Sequence, residues 1–201
     1  MFDARLRPLI DPPLTRAGKV FARAGIHANT VTLTGFAIGM GAAVAIATGN
    51  TLLALFLVAL NRIADGLDGA VARTTKKTDL GGYLDIVLDF AFYGAIPFAF
   101  AVLDPQANAL AAAALLLSFY ANGSAFLAFA IMAEKQGLKT NWQGAKSLYY
   151  LGGLAEGTET IAIFLLMCLW PSGFAVLAYS FAVVCGISAA ARIVISVKSL
   201  S

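Results

Sequence analysis

Four aspartates stand out in residues 65–89, DGLDGAVARTTKKTDLGGYLDIVLD: Asp65, Asp68, Asp85 and Asp89. They occur in a chain that is 60% hydrophobic and only 12% charged. Asp65 and Asp68 are three positions apart, Asp85 and Asp89 four. On helices, each spacing puts the pair on one face. The stretch between the pairs is polar, basic and contains glycine, so it reads as a turn between two helices. Helices joined by a short turn run antiparallel, which brings the four carboxylates together near one end of the pair. Ionised carboxylates at membrane depth are costly unless they are paired or hold a cation, and they are functional candidates by default. Four hard oxygen donors with no His or Cys beside them suit Mg²⁺ or Mn²⁺.

The elements that must position these groups follow from composition. Soluble domains carry roughly a quarter charged residues. This chain of 201 residues has half that share, a net charge of +3 and a mean hydropathy of +0.81. Its apolar residues come in runs and do not alternate, which excludes a barrel and predicts an all-α, polytopic membrane protein. Cys168 and Cys185 lie inside apolar runs and read as small core residues. No cleavable signal peptide is expected, because some thirty largely polar residues precede the first long apolar run.

Residues 1–30 form a juxtamembrane segment ahead of a six-helix catalytic domain at 31–201. Arg5, Arg7, Arg16, Lys19 and Arg23 are interspersed with Leu6, Leu9, Leu14, Val20 and Phe21, and Pro8, Pro12 and Pro13 are expected to break the pattern. An amphipathic segment on an anionic membrane face is favoured over a solvated basic arm. Six apolar spans follow, at 31–48, 51–72, 82–103, 108–133, 154–170 and 174–196. Most reach the roughly 20 residues that cross the hydrocarbon. The connections at Gly49–Asn50, Asp104–Gln106 and Pro171–Gly173 carry no Lys or Arg. With the N-terminus cytoplasmic, all 14 Lys and Arg fall on or near the cytoplasmic side, as the positive-inside rule requires. The aspartates then sit at the cytoplasmic ends of spans two and three, facing the cytoplasm. A bacterial inner membrane is the expected location. Gly35 and Gly39 form a small-xxx-small pair read as packing within the chain. Gly66 and Gly69 read as positions where bulk would block a ligand's approach to the backbone.

The pattern Asp65-x-x-Asp68-Gly69-x-x-Ala72-Arg73, followed by Gly81-x-x-x-Asp85-x-x-x-Asp89, resembles the signature of the CDP-alcohol phosphotransferase family, also called CDP-alcohol phosphatidyltransferases. The resemblance covers about an eighth of the chain, with every fixed position present. It implies a membrane transferase of phospholipid biosynthesis, which moves a phosphatidyl group from CDP-diacylglycerol to an alcohol hydroxyl and releases CMP. It further implies Asp65, Asp68, Asp85 and Asp89 as ligands of Mg²⁺ or Mn²⁺, two ions being expected, with Asp89 also the general base. Gly69, Ala72, Arg73 and Gly81, together with Asp65 and Asp68, would hold the CDP moiety. Asn29, Thr30 and Thr32 match positions near the nucleotide, although a helix N-cap explains them equally well. Arg73 agrees independently, since a guanidinium suits bidentate phosphate recognition. Membrane lipids, an alcohol acceptor and a second copy of the chain in a homodimer are the implied partners, with no nucleic acid.

The acceptor pocket is expected in the second half of the chain. Lys135, Lys146, Glu156, Glu159 and Arg192 are its candidates, beside Lys139, Tyr149 and Tyr150. Relatives that take a phosphorylated acceptor are expected to carry a basic cluster there. Glu156 and Glu159 depart from that pattern, and suit a cation or a polyol or ion pairs between helices. His27 reads as interfacial. Three competing readings remain. One is a carboxylate-based ion transporter, which would leave the Gly and Arg positions without purpose. Another is the same fold acting on a CDP-amino-alcohol with diacylglycerol as acceptor. The last is a membrane protein that binds CMP without turnover.

Overall fold

The computed structural model describes residues 3–136 and 157–200, and their side chains from residue 11 onward. Seven α-helices account for nearly all of it: α1 (Asp3–Arg23), α2 (Ala28–Ala47), α3 (Thr51–Thr74), α4 (Asp79–Leu103), α5 (Pro105–Lys135), α6 (Gly157–Leu169) and α7 (Phe174–Leu200). A 3₁₀ turn at Pro171–Gly173 precedes α7. There is no strand among the described residues.

The short connections are set by local chemistry. Gly49 takes a positive φ of 84°, which favours glycine. Asn50 then caps α3, its side chain accepting from Leu53 N at 3.2 Å. Asp104 ends α4 and caps α5, accepting from Ala107 N at 3.1 Å, with Pro105 at the first helical position.

Four stretches are long and apolar enough to cross a membrane: Ala28–Ala47, Asp79–Leu103, Pro105–Lys135 and Pro171–Leu200. The other two expected spans differ in character. Helix α3 has the length but interrupts its apolar face with Arg62, Asp65, Asp68 and Arg73. Helix α6 has 13 residues, or about 20 Å at 1.5 Å per residue, and the start of the expected span 154–170 lies outside the described residues. Large apolar side chains face outward along the bundle, among them Leu52, Phe56, Leu110, Leu117, Val176 and Val183. Outward apolar surface of this extent fits a lipid solvent, and the chain is an integral membrane protein.

Helix α2 packs against both α3 and α4, α4 against α5, α1 against α3, α6 against α3, and α7 against α5. The core between them holds Ile46, Val58, Phe92, Ile96, Phe100, Leu115, Phe164, Met167 and Phe174. Phe100 stacks on Phe174 with ring centroids 4.5 Å apart, and Phe92 meets Phe164 edge-on at 6.1 Å. Small residues let the site-bearing helices approach. A Cβ at Gly35 would stand 2.9 Å from Ala64 Cβ, and one at Gly39 would stand 2.7 Å from the Phe92 ring. The Gly35–Gly39 pair therefore packs α2 onto its neighbours within the chain.

Two expectations are corrected. Pro8, Pro12 and Pro13 do not interrupt the N-terminal segment, which is one helix of 21 residues. A proline removes a hydrogen bond but keeps a helical φ, and beyond the prolines α1 is seated on α3. Gly18 meets Ala70 there, and Leu14 meets Gly66. That second contact is the other correction: the space beside Gly66 is filled by Leu14, 2.7 Å from where a Cβ would lie, so this glycine admits a helix and not a ligand.

Gly39→Val drives a branched side chain into the Phe92 ring and Asn61, and overpacking of this kind costs about 1–3 kcal/mol. Thermal unfolding in detergent is expected to shift down for Gly39→Val. It is expected to stay unchanged or rise for Gly82→Ala, where nothing lies within 4 Å of the added carbon.

Candidate active site

The turn between the two aspartate-bearing helices is shorter than the sequence suggests. Helix α3 continues to Thr74, so Arg73 lies in its last turn, and only residues 75–78 connect it to α4. Thr78 caps α4 by accepting from Gly81 N at 3.1 Å. This cap fixes where α4 begins, and therefore where Asp85 and Asp89 stand along it.

Asp65, Asp68 and Asp85 each direct a carboxylate oxygen to one place, these atoms all lying within 4.8 Å of one another. Asp68 is buried, Asp65 half-buried and Asp85 exposed. Asp68 Oδ2 is buried without a hydrogen-bond partner, the condition a cation would relieve. A hard divalent cation fits this donor set.

Asp89 is held differently. Its Oδ1 accepts from Arg62 Nη2 at 2.8 Å, while Arg62 Nη1 lies 3.5 Å from Asp65 Oδ2. Arg62 Nε donates to Asn61 Oδ1 at 2.9 Å, and Asn61 Nδ2 donates to the Gly35 carbonyl at 2.8 Å. The guanidinium also lies 5.2 Å from the Phe92 ring centroid and 5.7 Å from that of Tyr93, whose hydroxyl is 3.4 Å from Nη1. Every nitrogen of Arg62 thus has a partner, and the chain Gly35–Asn61–Arg62–Asp89 ties α2, α3 and α4 together.

Two cavities meet at the carboxylates. The inner one, about 20 Å³, is lined by Asn61, Arg62, Asp65, Asp68, Asp85 and Asp89 among others. It has room for about one water-sized group. The outer one, about 350 Å³, is lined by Asn29, Thr32, Gly69, Ala72, Arg73, Lys76, Lys77, Thr78 and Gly81, and reaches Asp68 and Asp85. Ligand pockets run from about 300 to 1,000 Å³, so the outer cleft is the one of ligand size. It opens between the end of α3 and the start of α4, with Arg73, Lys76 and Lys77 as its positive charges. A Cβ at Gly81 would come within 3.1 Å of Asn29 Oδ1, so glycine there keeps α2 and α4 close beside the cleft.

The structure brings Gly69, Ala72, Arg73 and Gly81 to one cleft with Asp68 and Asp85, while Asp65 lines the inner cavity. Asn29 is inside the first turn of α2, whose N-cap is His27; Asn29 lines the cleft instead of capping the helix. Lys135, Glu159 and Arg192 line neither cavity. Arg192 packs over the Phe126 ring, 5.3 Å from its centroid. Lys146 and Glu156 lie outside the described residues, as do Lys139, Tyr149 and Tyr150. Arg62, Lys76 and Lys77 were not singled out from the sequence beyond their sign. An arginine three positions before Asp65, inside an apolar helix, was the available signal for Arg62.

A cation held by the cluster would need α3 and α4 both in place, so it would stabilise the folded state by mass action, by about 2.7 kcal/mol at a hundredfold excess over its dissociation constant. Mn²⁺ is expected to raise the unfolding temperature, chelator to reverse the rise, and Asp68→Asn to remove it.

Comparison with known proteins places the whole chain in a family. The model of the family described as CDP-alcohol phosphatidyltransferase matches residues 25–194. The inner membrane protein YnjF of Escherichia coli K12 is 47% identical over 193 residues, 96% of this chain and 94% of the relative. An archaetidylinositol phosphate synthase of Pyrococcus horikoshii is 39% identical over 87 residues, 43% of this chain and 46% of the relative. The crystal structure of the phosphatidylinositol phosphate synthase of Mycobacterium tuberculosis with CDP-DAG bound superposes with a TM-score of 0.69 at 23% identity, over 90% of this chain and 91% of that one. That last likeness is one of fold. On the family match and the near full-length relative, the chain belongs to the CDP-alcohol phosphatidyltransferase family and is a transferase.

Proposed function

We propose that the protein transfers a phosphatidyl group from CDP-diacylglycerol to the hydroxyl of an alcohol, releasing CMP. The observation that carries this reading is the sharing of Asp68 and Asp85 between a ligand-sized basic cleft and the carboxylate cluster. A CDP group in the cleft would lay its diphosphate against both. The fold shared with a CDP-DAG-bound synthase supports the donor.

In the reaction, the acceptor oxygen forms a bond to the phosphorus that carries diacylglycerol. The anhydride bond to the cytidylate phosphate breaks, and CMP leaves with the bridging oxygen. Asp65, Asp68 and Asp85 would hold Mg²⁺ or Mn²⁺, which supplies neutralisation of the diphosphate charge. Arg73 at the end of α3 would clamp a phosphate oxygen bidentately, with Gly69 and Ala72 leaving the backbone open beside it. Asp89 would take the proton from the attacking hydroxyl. A second ion would draw on Asp89, which Arg62 now holds.

The same reading has six spans, with α3 and α6 completing the four that length and composition support. It places the carboxylates at the cytoplasmic face of an inner membrane, as the distribution of Lys and Arg suggests, and assembles two chains as a homodimer. Lys77→Cys is expected to react with an impermeant thiol reagent from the cytoplasmic side alone.

Purified protein with CDP-diacylglycerol and Mn²⁺ is expected to release CMP when one acceptor of a panel is present: serine, glycerol phosphate, inositol, inositol phosphate, choline or ethanolamine. Asp89→Asn should abolish that release, at least a hundredfold given what a general base contributes, and leave CDP binding nearly intact. Asp68→Asn should weaken metal-dependent CDP binding as well. Full turnover by both variants would remove this assignment. CMP release with CDP-choline and diacylglycerol, and none with CDP-diacylglycerol, would reverse which partner is the lipid.

A further inference from the structure

Two lysines of the outer cleft lie outside the Asp, Gly and Arg pattern, yet they stand where the nucleotide of the proposed reaction would lie. We propose that Lys76 and Lys77 hold the phosphate of the departing cytidylate and take up the negative charge it gains as the anhydride bond breaks. The proposal rests on the reaction read above and adds two residues to it.

Placement is the first observation. Arg62 lines the inner cavity, whereas Arg73, Lys76 and Lys77 line the outer one. Asp68 and Asp85 line both, and a diphosphate at these carboxylates spans the boundary. The inner space of about 20 Å³ has no room for a nucleoside, while the outer one of about 350 Å³ has the size of a ligand pocket. The cytidylate therefore lies outward of the shared carboxylates. An in-line displacement sets the leaving oxygen opposite the attacking one, which turns it towards the side where the lysines stand.

These charges are also uncommitted. Arg62 is engaged by Asp65 and Asp89, but no described residue forms an ion pair or a side-chain hydrogen bond with Lys76 or Lys77. Both are exposed. They lie in the connection 75–78, which is held at one end by the last turn of α3 and at the other by the Thr78 cap on Gly81 N. The backbone is thus fixed beside the cleft, while each ammonium rides on a flexible stem. A point charge of that kind can follow a phosphate as it draws away.

The third observation is where charge develops. In the donor, the cytidylate phosphate shares the anhydride and carries one negative charge. The acceptor oxygen bonds to the lipid phosphorus, and the acceptor proton passes to Asp89. The electron pair of the broken bond stays on the bridging oxygen, so the cytidylate phosphate leaves with a second negative charge. Arg73 supplies one positive charge on that side, and the lysines supply the rest. A contact that strengthens as the bond breaks favours the transition state over the bound donor.

The test measures binding of two probes by calorimetry, on protein purified in an uncharged detergent with Mn²⁺. The probes are CMP and its methyl ester, whose phosphate keeps a single charge as in the donor. Lys76→Gln combined with Lys77→Gln is expected to weaken CMP binding at least tenfold and ester binding less than threefold. Lys76→Arg with Lys77→Arg should keep CMP affinity within threefold of the unaltered protein. Lys19→Gln with Arg23→Gln removes the same two charges from exposed positions of α1 and should leave CMP affinity unchanged. In turnover, the double glutamine variant should lower kcat at least tenfold and raise the donor KM less than threefold. Unchanged CMP affinity in that variant overturns the proposal. So does an equal loss for the ester, an equal loss in the α1 control, or a rise in KM with kcat intact. If the unaltered protein binds CMP but releases none from CDP-diacylglycerol, the assigned reaction fails, while the two probes still decide whether the lysines hold the cytidylate phosphate. If it binds no CMP, the reaction and the proposal fall together.

Discussion

Four carboxylates in an apolar helix bundle have to be compensated, and the arrangement of this protein turns on how that is done. Each ion taken from water costs several kcal/mol even after relaxation. The bundle meets the demand in two ways. Arg62 reaches Asp89 and Asp65 from within α3, and Asp65, Asp68 and Asp85 gather their oxygens where a cation fits. The orphaned Asp68 Oδ2 marks what remains unmet by the protein alone.

The packing around the cluster serves this arrangement. Gly35 and Gly39 let α2 approach closely enough for Asn61 to hydrogen-bond the Gly35 carbonyl. Phe92 touches the same interface and lies beside the guanidinium. Helix α1 seats Leu14 over Gly66, between Asp65 and Asp68 in the chain. An amphipathic helix thus braces the stretch of α3 that carries two of the carboxylates. Substitutions at these small residues would act on the site through the helix spacing, without touching a ligand.

The two cavities separate tasks by size. The inner one admits little more than an ion or a water, while the outer one has the volume of a ligand pocket and the basic side chains a diphosphate requires. Asp68 and Asp85 belong to both. On the proposed reading, this sharing is where the donor would meet the carboxylates.

Much of this was legible in the sequence by itself. A charge content of 12% against 60% hydrophobic residues determines a helical membrane protein, because in lipid the backbone must satisfy its own hydrogen bonds. The spacings of Asp65, Asp68, Asp85 and Asp89 place each pair on one helix face, because side-chain direction repeats with the helical turn. What lies between helices was not legible, because it depends on distances that no spacing along the chain encodes. Only the tertiary structure gave Asp89 to Arg62 and left the other three together. It likewise filled the space beside Gly66 with Leu14, and seated α1 on α3 at Gly18 and Ala70. Each of these is a contact between segments far apart in sequence, decided by which helix faces meet.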